Sequence, residues 1–283
     1  MAHWWDANPY ASHHACRGWT LRSREGRLVG YLGVIPSCYE DATGSLLPAL
    51  LASSWAVDEE HRQAALPMGL QLNRQGGGAI LIDTTPSPAV QKLLQRWGWE
   101  ERRQIQRRFL LRFAIRGQQF QLPAHMRIIS DPNEVRMLAA TPQCTDIRRH
   151  VTPEYLRWYV GSRWREHHFL GMVDAEGALW AYVIVTPHTI RGVPAWSVVD
   201  WHSVRDDSIE LGALVARLAR RGVGTKGRWW PLVIVTNFPE DDPWQGLPHF
   251  HRRSGQACHF HSLPPTYKGQ PKRSVLAEGD WGL

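Results

Sequence analysis

Residues 53–99 constrain the fold of this chain more than any other stretch, because strand-like and helix-like patterns alternate there. Residues 53–57 are small, aromatic or β-branched, as in a strand, and an acidic turn follows at 58–60. Apolar residues then keep helical spacing, a second strand covers 79–82, and a second helix covers 89–97 before Gly98. At the first strand-to-helix turn, backbone N–H groups and the positive end of a helix favour a pyrophosphate.

Further predicted elements flank this stretch, and a similar order of elements follows in the second half of the chain. Before the central stretch, a hairpin is predicted at 19–22 and 28–35, and after it one long closing strand is predicted at 100–115. Later we predict a strand at 126–130, helices at 132–140 and from Thr152, strands at 168–173, 178–186 and 195–202, a helix at 207–220, and strands at 231–236 and 258–263. We therefore predict two consecutive domains, 1–116 and 126–264, with a linker at 117–125 and a surface or mobile tail at 265–283.

Three positions give this pattern a family resemblance. Val57 ends a strand, Arg62 is the basic residue that leads the turn, and Gly98-Trp99 forms the corner after the second helix. In these features the chain resembles the GCN5-related N-acetyltransferases (GNATs), whose Arg/Gln-x-x-Gly-x-Gly/Ala loop grips the phosphates of acetyl-CoA. The resemblance implies an α/β (α+β) fold of two consecutive GNAT-like domains with mixed, mostly antiparallel sheets flanked by helices, the first domain lacking its initial strand and helix.

The resemblance also implies a co-substrate, acetyl-CoA or another acyl-CoA, and a reaction, acyl transfer to the amine of a small molecule or sugar. The predicted cofactor-binding residues are Val57, Arg62, Gln63, Ala64, Ala65 and Leu66. Acyl transfer to an amine needs a base that takes a proton from the ammonium group. Candidate catalytic residues are Glu59, Glu60 and His61 in the turn, and His251, four residues before Gly255, where the family often has a tyrosine. For the three turn residues, a solvated acidic turn is the simpler interpretation.

Four short runs resemble a narrower group of proteins. Asn8-Pro9, Gly18-Trp19, GYLGVIP at 30–36 and WAVDEEHR at 55–62 are similar to acyltransferase-like proteins associated with bacterial surface polysaccharides.

Two other hypotheses stay open. Gln63, Ala65 and Pro67 stand where GNATs prefer glycine, and Leu94 aligns with the tyrosine that donates a proton in many of them. These departures favour a catalytically inactive tandem GNAT fold that binds a protein or glycan. The other alternative is transfer from aminoacyl-tRNA, as in the Fem-type transferases, which are also tandem GNAT-like. The scattered arginine pairs favour solvated faces over a nucleic-acid site.

Two HFH triplets, His249-Phe250-His251 and His259-Phe260-His261, suggest a further chemistry, and Cys258 is adjacent to the second. On a strand, residues i and i+2 share a face, so such pairs could ligate zinc. Without a third spaced ligand the pattern favours surface or packing histidines ahead of an acid/base role, and we predict no metal site.

Composition limits the remaining classes. The formal charge of +7 suits a polyanionic partner such as CoA. The chain has no run of 18 apolar residues, and residues 1–15 lack a signal-peptide pattern, so we expect no membrane span and a cytoplasmic protein. The four cysteines lack CxxC spacing, which favours reduced thiols.

Overall fold

The computed structural model describes most of the chain. The described residues are 2–13, 16–75, 78–84, 86–102, 106–116, 120, 122–140, 147–205, 208–223, 230–237, 244, 247–248, 251–254 and 259–267.

Fifteen strands and six α-helices form within this part of the chain. The strands are β1 (Gly18–Arg22), β2 (Leu28–Glu40), β3 (Leu46–Val57), β4 (Ile80–Asp83), β5 (Glu100–Arg102), β6 (Gln106–Leu111), β7 (Arg127–Ile129), β8 (Met137–Leu138), β9 (Arg148–Arg149), β10 (His168–Val173), β11 (Ala178–Ile190), β12 (Val193–Ser203), β13 (Leu232–Asn237), β14 (His251–Ser254) and β15 (His259–Ser262). The helices are α1 (Ala2–Trp5), α2 (Ala65–Gln75), α3 (Pro88–Arg96), α4 (Arg112–Arg116), α5 (Pro153–Val160) and α6 (Ser208–Arg221). Short 3-10 helices cover Ala11–His13, Glu59–Ala64 and Pro132–Glu134.

The strands form two sheets that exchange their closing strands. Sheet A has the order β1-β2-β3-β4-β15-β5, with β9 also paired to β2. Sheet B has the order β14-β6-β13-β12-β11-β10-β7, with β8 also paired to β11. β15 comes from the end of the chain and lies between β4 and β5, whereas β6 comes from the first half and lies between β13 and β14. Each sheet therefore contains a strand supplied by the other half of the sequence.

Each face of sheet A is covered by a different part of the molecule. One face packs against α2 and α3 through a core that includes Met68, Leu72 and Leu94. The other face packs against the second half, which contributes Ile147, and Trp158 of α5 also contacts this core. The two halves thus share a buried boundary.

Local sequence signals set the helix ends. The Ser87 hydroxyl accepts a hydrogen bond from the Val90 N–H at 3.4 Å, and Pro88 occupies the first turn of α3. Thr152 caps α5 in the same way through the Tyr155 N–H at 3.1 Å. Gly98 follows α3 with φ +78°, a left-handed conformation that suits glycine.

Two sequence predictions are wrong in their local structure. Residues 100–115 do not form one strand, because β5 joins sheet A, β6 joins sheet B and α4 follows. Residues 132–140 do not form a helix: Asp131 caps a short 3-10 turn, and β8 then pairs with β11. In α2, Leu66 is 44% exposed, whereas Met68 and Leu72 are buried.

Candidate functional site

A cleft opens in sheet A where β3 and β4 part. These strands are parallel and pair only from Ala49 to Leu51 on β3, opposite Ile80 to Ile82 on β4. β3 then continues to Val57 with β2 as its only strand partner among the described residues, while β4 ends at Asp83. We term the space between the parting strands the strand cleft. Beyond Leu51, no described strand pairs with this edge of β3.

A bulge in β3 lies at this cleft. The ladder between β2 and β3 shifts by one residue, so that Ser54 and Trp55 together face Leu32. Ser54 has φ +54°, one of two non-glycine residues with positive φ in the described part of the chain. The bulge turns the backbone of β3 locally and changes the direction of its peptide groups.

The strand cleft contains a cavity of about 190 Å³. Its lining residues are Leu32, Ala52, Ser53, Ser54, Trp55, Asp83, Pro86, Ser87 and Val90. Asp83 is the one ionisable side chain among these nine residues. The Ser53 and Ser54 hydroxyl oxygens lie 3.3 Å apart on the opposite wall. Polar groups therefore lie on both sides of an otherwise apolar slot.

The predicted phosphate turn lies at the outer end of β3, past the cleft. Val57 ends the strand and is half-buried, and the 3-10 helix Glu59–Ala64 runs directly into α2. Arg62, Gln63 and Leu66 are exposed, whereas Ala64 and Ala65 are half-buried. The turn is thus accessible to a ligand that extends from the strand cleft.

The negative charge of the acidic residues in this turn is partly balanced by arginines in surface ion pairs. Arg62 lies 3.7 Å from Glu59, and Arg27 lies 3.6 Å from Asp58 and 4.0 Å from Glu60. All five side chains are more than half exposed, so each pair contributes at most about 1 kcal/mol to stability. Such weakly held arginines can change partner at little cost.

The structure does not bring the predicted catalytic residues together. Glu59, Glu60 and His61 share the 3-10 helix at the outer end of β3. His251 lies on β14 in sheet B, opposite Phe109 of β6, and its neighbours His249, Phe250 and Gly255 lie outside the described residues. All four remain predictions.

Two further positions singled out by the sequence are buried. Leu94 is 2% exposed on the core side of α3. His261 is fully buried on β15, with its Nε2 atom 3.4 Å from a carboxylate oxygen of Glu100. Within the described ranges, no group of three or more His, Cys, Asp or Glu side chains is placed to hold a metal ion.

Two parallel strands also separate in sheet B. β12 and β13 pair in parallel only from Ala195 to Ser197, opposite Leu232 to Ile234. The ladder between β11 and β12 shifts just beyond this point, as the ladder between β2 and β3 does. After the shift, the Trp201 ring packs edge-on against the fully buried Trp244 at 5.7 Å. Tryptophan rings therefore pack beside the parting strands of sheet B.

A buried ionic network lies behind this part of β12. The Asp200 carboxylate is fully buried and accepts hydrogen bonds from Arg149, from Tyr155 at 3.0 Å and from Tyr182 at 3.2 Å. Arg149 is 8% exposed and also donates to both tyrosine hydroxyls. Burial raises the pKa of Tyr155 and Tyr182 well above the ordinary value, so both hydroxyls stay protonated.

Comparison with known proteins identifies the fold. No protein-family model and no curated protein matches the sequence. A GCN5-related N-acetyltransferase from Anabaena variabilis ATCC 29413 matches with a TM-score of 0.58 and 13% identity, over 87% of this chain and 62% of its own. The chain has the GNAT fold. Two further structures give the same result. A probable N-acyltransferase of unknown function from Enterococcus faecalis V583 matches with a TM-score of 0.58 and 12% identity, over 85% of this chain and 60% of its own. A GCN5-related N-acetyltransferase from Kribbella flavida matches with a TM-score of 0.56 and 12% identity, over 87% of this chain and 60% of its own.

The comparison confirms the predicted fold class, a mixed α/β structure with two helix-flanked sheets of GNAT type. This chain spans about three fifths of the length of these solved structures. None of the helices in the described ranges is long and apolar enough to cross a membrane.

Sequence reasoning missed the residues that line the strand cleft. Ser54 gives no sequence signal for its positive φ, because serine rarely adopts that conformation. Asp83 and Ser87 lie between the predicted strand at 79–82 and the predicted helix at 89–97, and a position after a parallel strand is a usual one for ligand contacts in α/β sheets.

Proposed function

We propose that the protein is an acyl-CoA-dependent N-acyltransferase that acts on the amine of a small molecule or sugar. One observation supports this most strongly: in sheet A the parallel strands β3 and β4 separate beside a bulge and enclose a cavity. A GNAT fold with such an opening can hold an extended thioester between its strands.

The chemistry of the pantetheine arm suits the exposed edge of β3. The arm carries two amide groups and can pair with backbone N–H and C=O groups as an added strand does. In this arrangement Ala52, Ser53 and Ser54 would contact the arm near the acyl end, and the phosphates would reach the turn at Arg62. Arg62 would then exchange its exposed contact with Glu59 for a phosphate oxygen.

Acyl transfer requires that the amine nitrogen attack the thioester carbonyl, that the CoA thiolate leave, and that the ammonium proton pass to a base. Glu59, Glu60 and His61 lie at the phosphate end of this arrangement, and Asp83 lies at the acyl end. We therefore assign the base to Asp83. We also propose acetyl-CoA or a longer acyl-CoA as donor, a cytoplasmic location and, from the runs that resemble them, a relation to bacterial surface-polysaccharide acyltransferases.

A second candidate function is binding without catalysis. The buried Leu94 cannot donate a proton to the leaving thiolate, and carboxylates at 58–60 surround the turn where phosphates would lie. These observations favour a tandem GNAT fold that retains a ligand cleft but has lost the reaction.

Isothermal titration calorimetry with acetyl-CoA and longer acyl-CoAs separates these candidates. We expect micromolar binding, weakened several-fold in Arg62→Ala and at least tenfold in Val90→Phe, whose larger ring would fill the cleft. Arg74→Ala, at the far end of α2, is the matched control and should bind as the unmodified protein does. Release of CoA thiol in the presence of an amine mixture would support the enzyme. Binding without release would support a cleft that has lost the reaction, and no binding of any thioester would exclude the acyltransferase.

A further inference from the structure

A second, larger cavity lies between the two halves of the molecule. It has a volume of about 450 Å³, within the range of about 300–1,000 Å³ that small-molecule sites have. Its walls are the turn between β2 and β3 (40–44), residues 138–140, residues 148–151 on and after β9, and His202 of β12. We term it the junction cavity.

The junction cavity is separate from the strand cleft. Leu32 lines the strand cleft and Glu40 lines the junction cavity, and both lie on β2. At about 3.3 Å per residue, Leu32 and Glu40 are about 26 Å apart along this strand. A ligand in one cannot react directly with a ligand in the other.

Three side chains that line the junction cavity, Arg149, His150 and Glu40, are held in place by contacts within the protein. Arg149 is fixed by the buried Asp200 and two tyrosines. The His150 Nδ1 atom lies 3.1 Å from a carboxylate oxygen of Glu40, and the His150 carbonyl accepts a hydrogen bond from Tyr10 at 2.5 Å. Because these groups are already ordered, a ligand would lose little free energy in organising them.

Charges of both signs line the junction cavity. Arg148 and Arg149 are cationic, and His150 and His202 are imidazoles that can donate hydrogen bonds. Glu40 and Asp41 form the acidic part. A hydrogen bond from the Thr43 hydroxyl lowers the pKa of Asp41, so this carboxylate is ionised at neutral pH. The charge of Arg149 is compensated by Asp200, so a simple anion would be repelled by the carboxylates of Glu40 and Asp41 and a simple cation by Arg148.

We propose that the junction cavity binds a small zwitterion of the α-amino acid or dipeptide class. The ligand carboxylate would contact Arg148 and His202, and the ligand ammonium group would contact Glu40 and Asp41. This site lies outside the proposed acyl transfer and does not depend on it.

Saturation-transfer NMR of the full chain with pools of the standard α-amino acids and alanyl-alanine, without any acyl-CoA, tests the proposal. We expect at least one zwitterion to bind with a Kd below about 1 mM. Its N-acetyl derivative, which lacks the ammonium, and its amide, which lacks the carboxylate, should each bind at least tenfold more weakly. These three ligands are compared on the unmodified protein, so the result does not depend on whether a variant folds.

Variants locate the site. Arg148→Met and Glu40→Gln should each weaken binding at least tenfold, whereas Arg24→Met, in the exposed turn at the opposite end of the β2 strand, should leave it unchanged. Absence of binding by every zwitterion, equal binding of the N-acetyl derivative, or unchanged binding in both cavity variants would each overturn the proposal. Because acyl-CoA is absent, none of these results bears on the proposed transferase.

Discussion

The Arg149 guanidinium and the Asp200 carboxylate form a buried ion pair that connects the two sheets. Arg149 belongs to β9, which pairs with β2 of sheet A, whereas Asp200 belongs to β12 of sheet B. Tyr155 and Tyr182 donate to the remaining lone pairs of the carboxylate. A buried ion pair is tolerated when its hydrogen bonds are satisfied in this way, and it is costly to break from one side.

Removal of one partner should therefore destabilise the protein strongly. Arg149→Met leaves the Asp200 carboxylate buried without its cation, and we expect the free energy of unfolding to fall by about 3–5 kcal/mol. Arg127→Met is the matched control. It breaks an ion pair with Glu134 whose side chains are 55% and 42% exposed, and it should cost less than about 1 kcal/mol. Urea unfolding measures both.

The double variant Arg149→Met/Asp200→Leu tests whether the unpaired Asp200 carboxylate causes the loss of stability in Arg149→Met. It should be more stable than Arg149→Met alone, because no buried charge remains. If the two substitutions instead destabilise additively, the pair is not coupled as the structure indicates.

Stability should fall at alkaline pH. Burial raises the pKa of Tyr155, Tyr159 and Tyr182 above 10.0, and raises that of Cys38 from 9.0 to about 11. Above these ordinary values the unfolded chain loses protons that the folded chain keeps, so the unfolded state binds fewer protons and the free energy of unfolding decreases as pH rises. The contribution of these groups is fully present below about pH 9 and is lost as pH approaches the folded pKa values.

Urea unfolding between about pH 8 and pH 10.5 checks this expectation. For each proton retained only by the folded state, the free energy of unfolding falls by about 1.4 kcal/mol per pH unit. Above pH 10, Tyr182→Phe should reduce the slope of the free energy of unfolding against pH by roughly that amount. A slope of zero, or tyrosinate absorbance from the native protein at pH 10 equal to that of the unfolded chain, would contradict the assignment.

Gly69 allows two tryptophans to pack against α2. A Cβ atom at Gly69 would lie 2.5 Å from the ring of Trp97 and 2.6 Å from the ring of Trp55. Alanine favours a helix by about 1 kcal/mol over glycine, but overpacking of this kind costs about 1–3 kcal/mol. We expect Gly69→Ala to be less stable in urea unfolding. Trp55→Phe should reduce that loss, and a stabilised Gly69→Ala would show that the rings move aside freely.

Much of the local structure could be predicted from the sequence, because its causes are local. The cap at Thr152 and the stop at Gly98 depend on residues within one helical turn, and both helices form as predicted. The helix expected at 132–140 was wrong for a non-local reason. Asp131 and Pro132 do start a turn, but Met137 and Leu138 then pair with the distant strand β11.

The strand cleft could be predicted only in part. The order of strand and helix implied a turn near Arg62, whereas the residues that line the cavity depend on where two parallel strands stop pairing. The pairing ends at Leu51 and Ile82, and no residue type in the sequence marks the end of a ladder between two strands. The assignment of the phosphate turn and the catalytic residues rests on family resemblance and remains a prediction.

The exchange of closing strands predicts that neither half folds alone. A fragment of residues 1–116 lacks β15, which pairs with β4 at Phe260 to Ser262 and carries the fully buried His261. A fragment that begins after 116 lacks β6, which lies between β13 and β14. Loss of an interior strand leaves the strands on both sides of it without hydrogen-bond partners, so each fragment should be largely unfolded or aggregated.

Coexpression of the two fragments, divided between residues 117 and 119, provides the control. Because the exchanged strands join the halves without the peptide link, the fragments should copurify and give the circular dichroism and urea unfolding transition of the intact chain. A dispersed amide NMR spectrum from residues 1–116 alone would contradict the exchange. It would show instead that the first half closes its own sheet with β6, which would then have to leave the position between β13 and β14 that it occupies in the full chain.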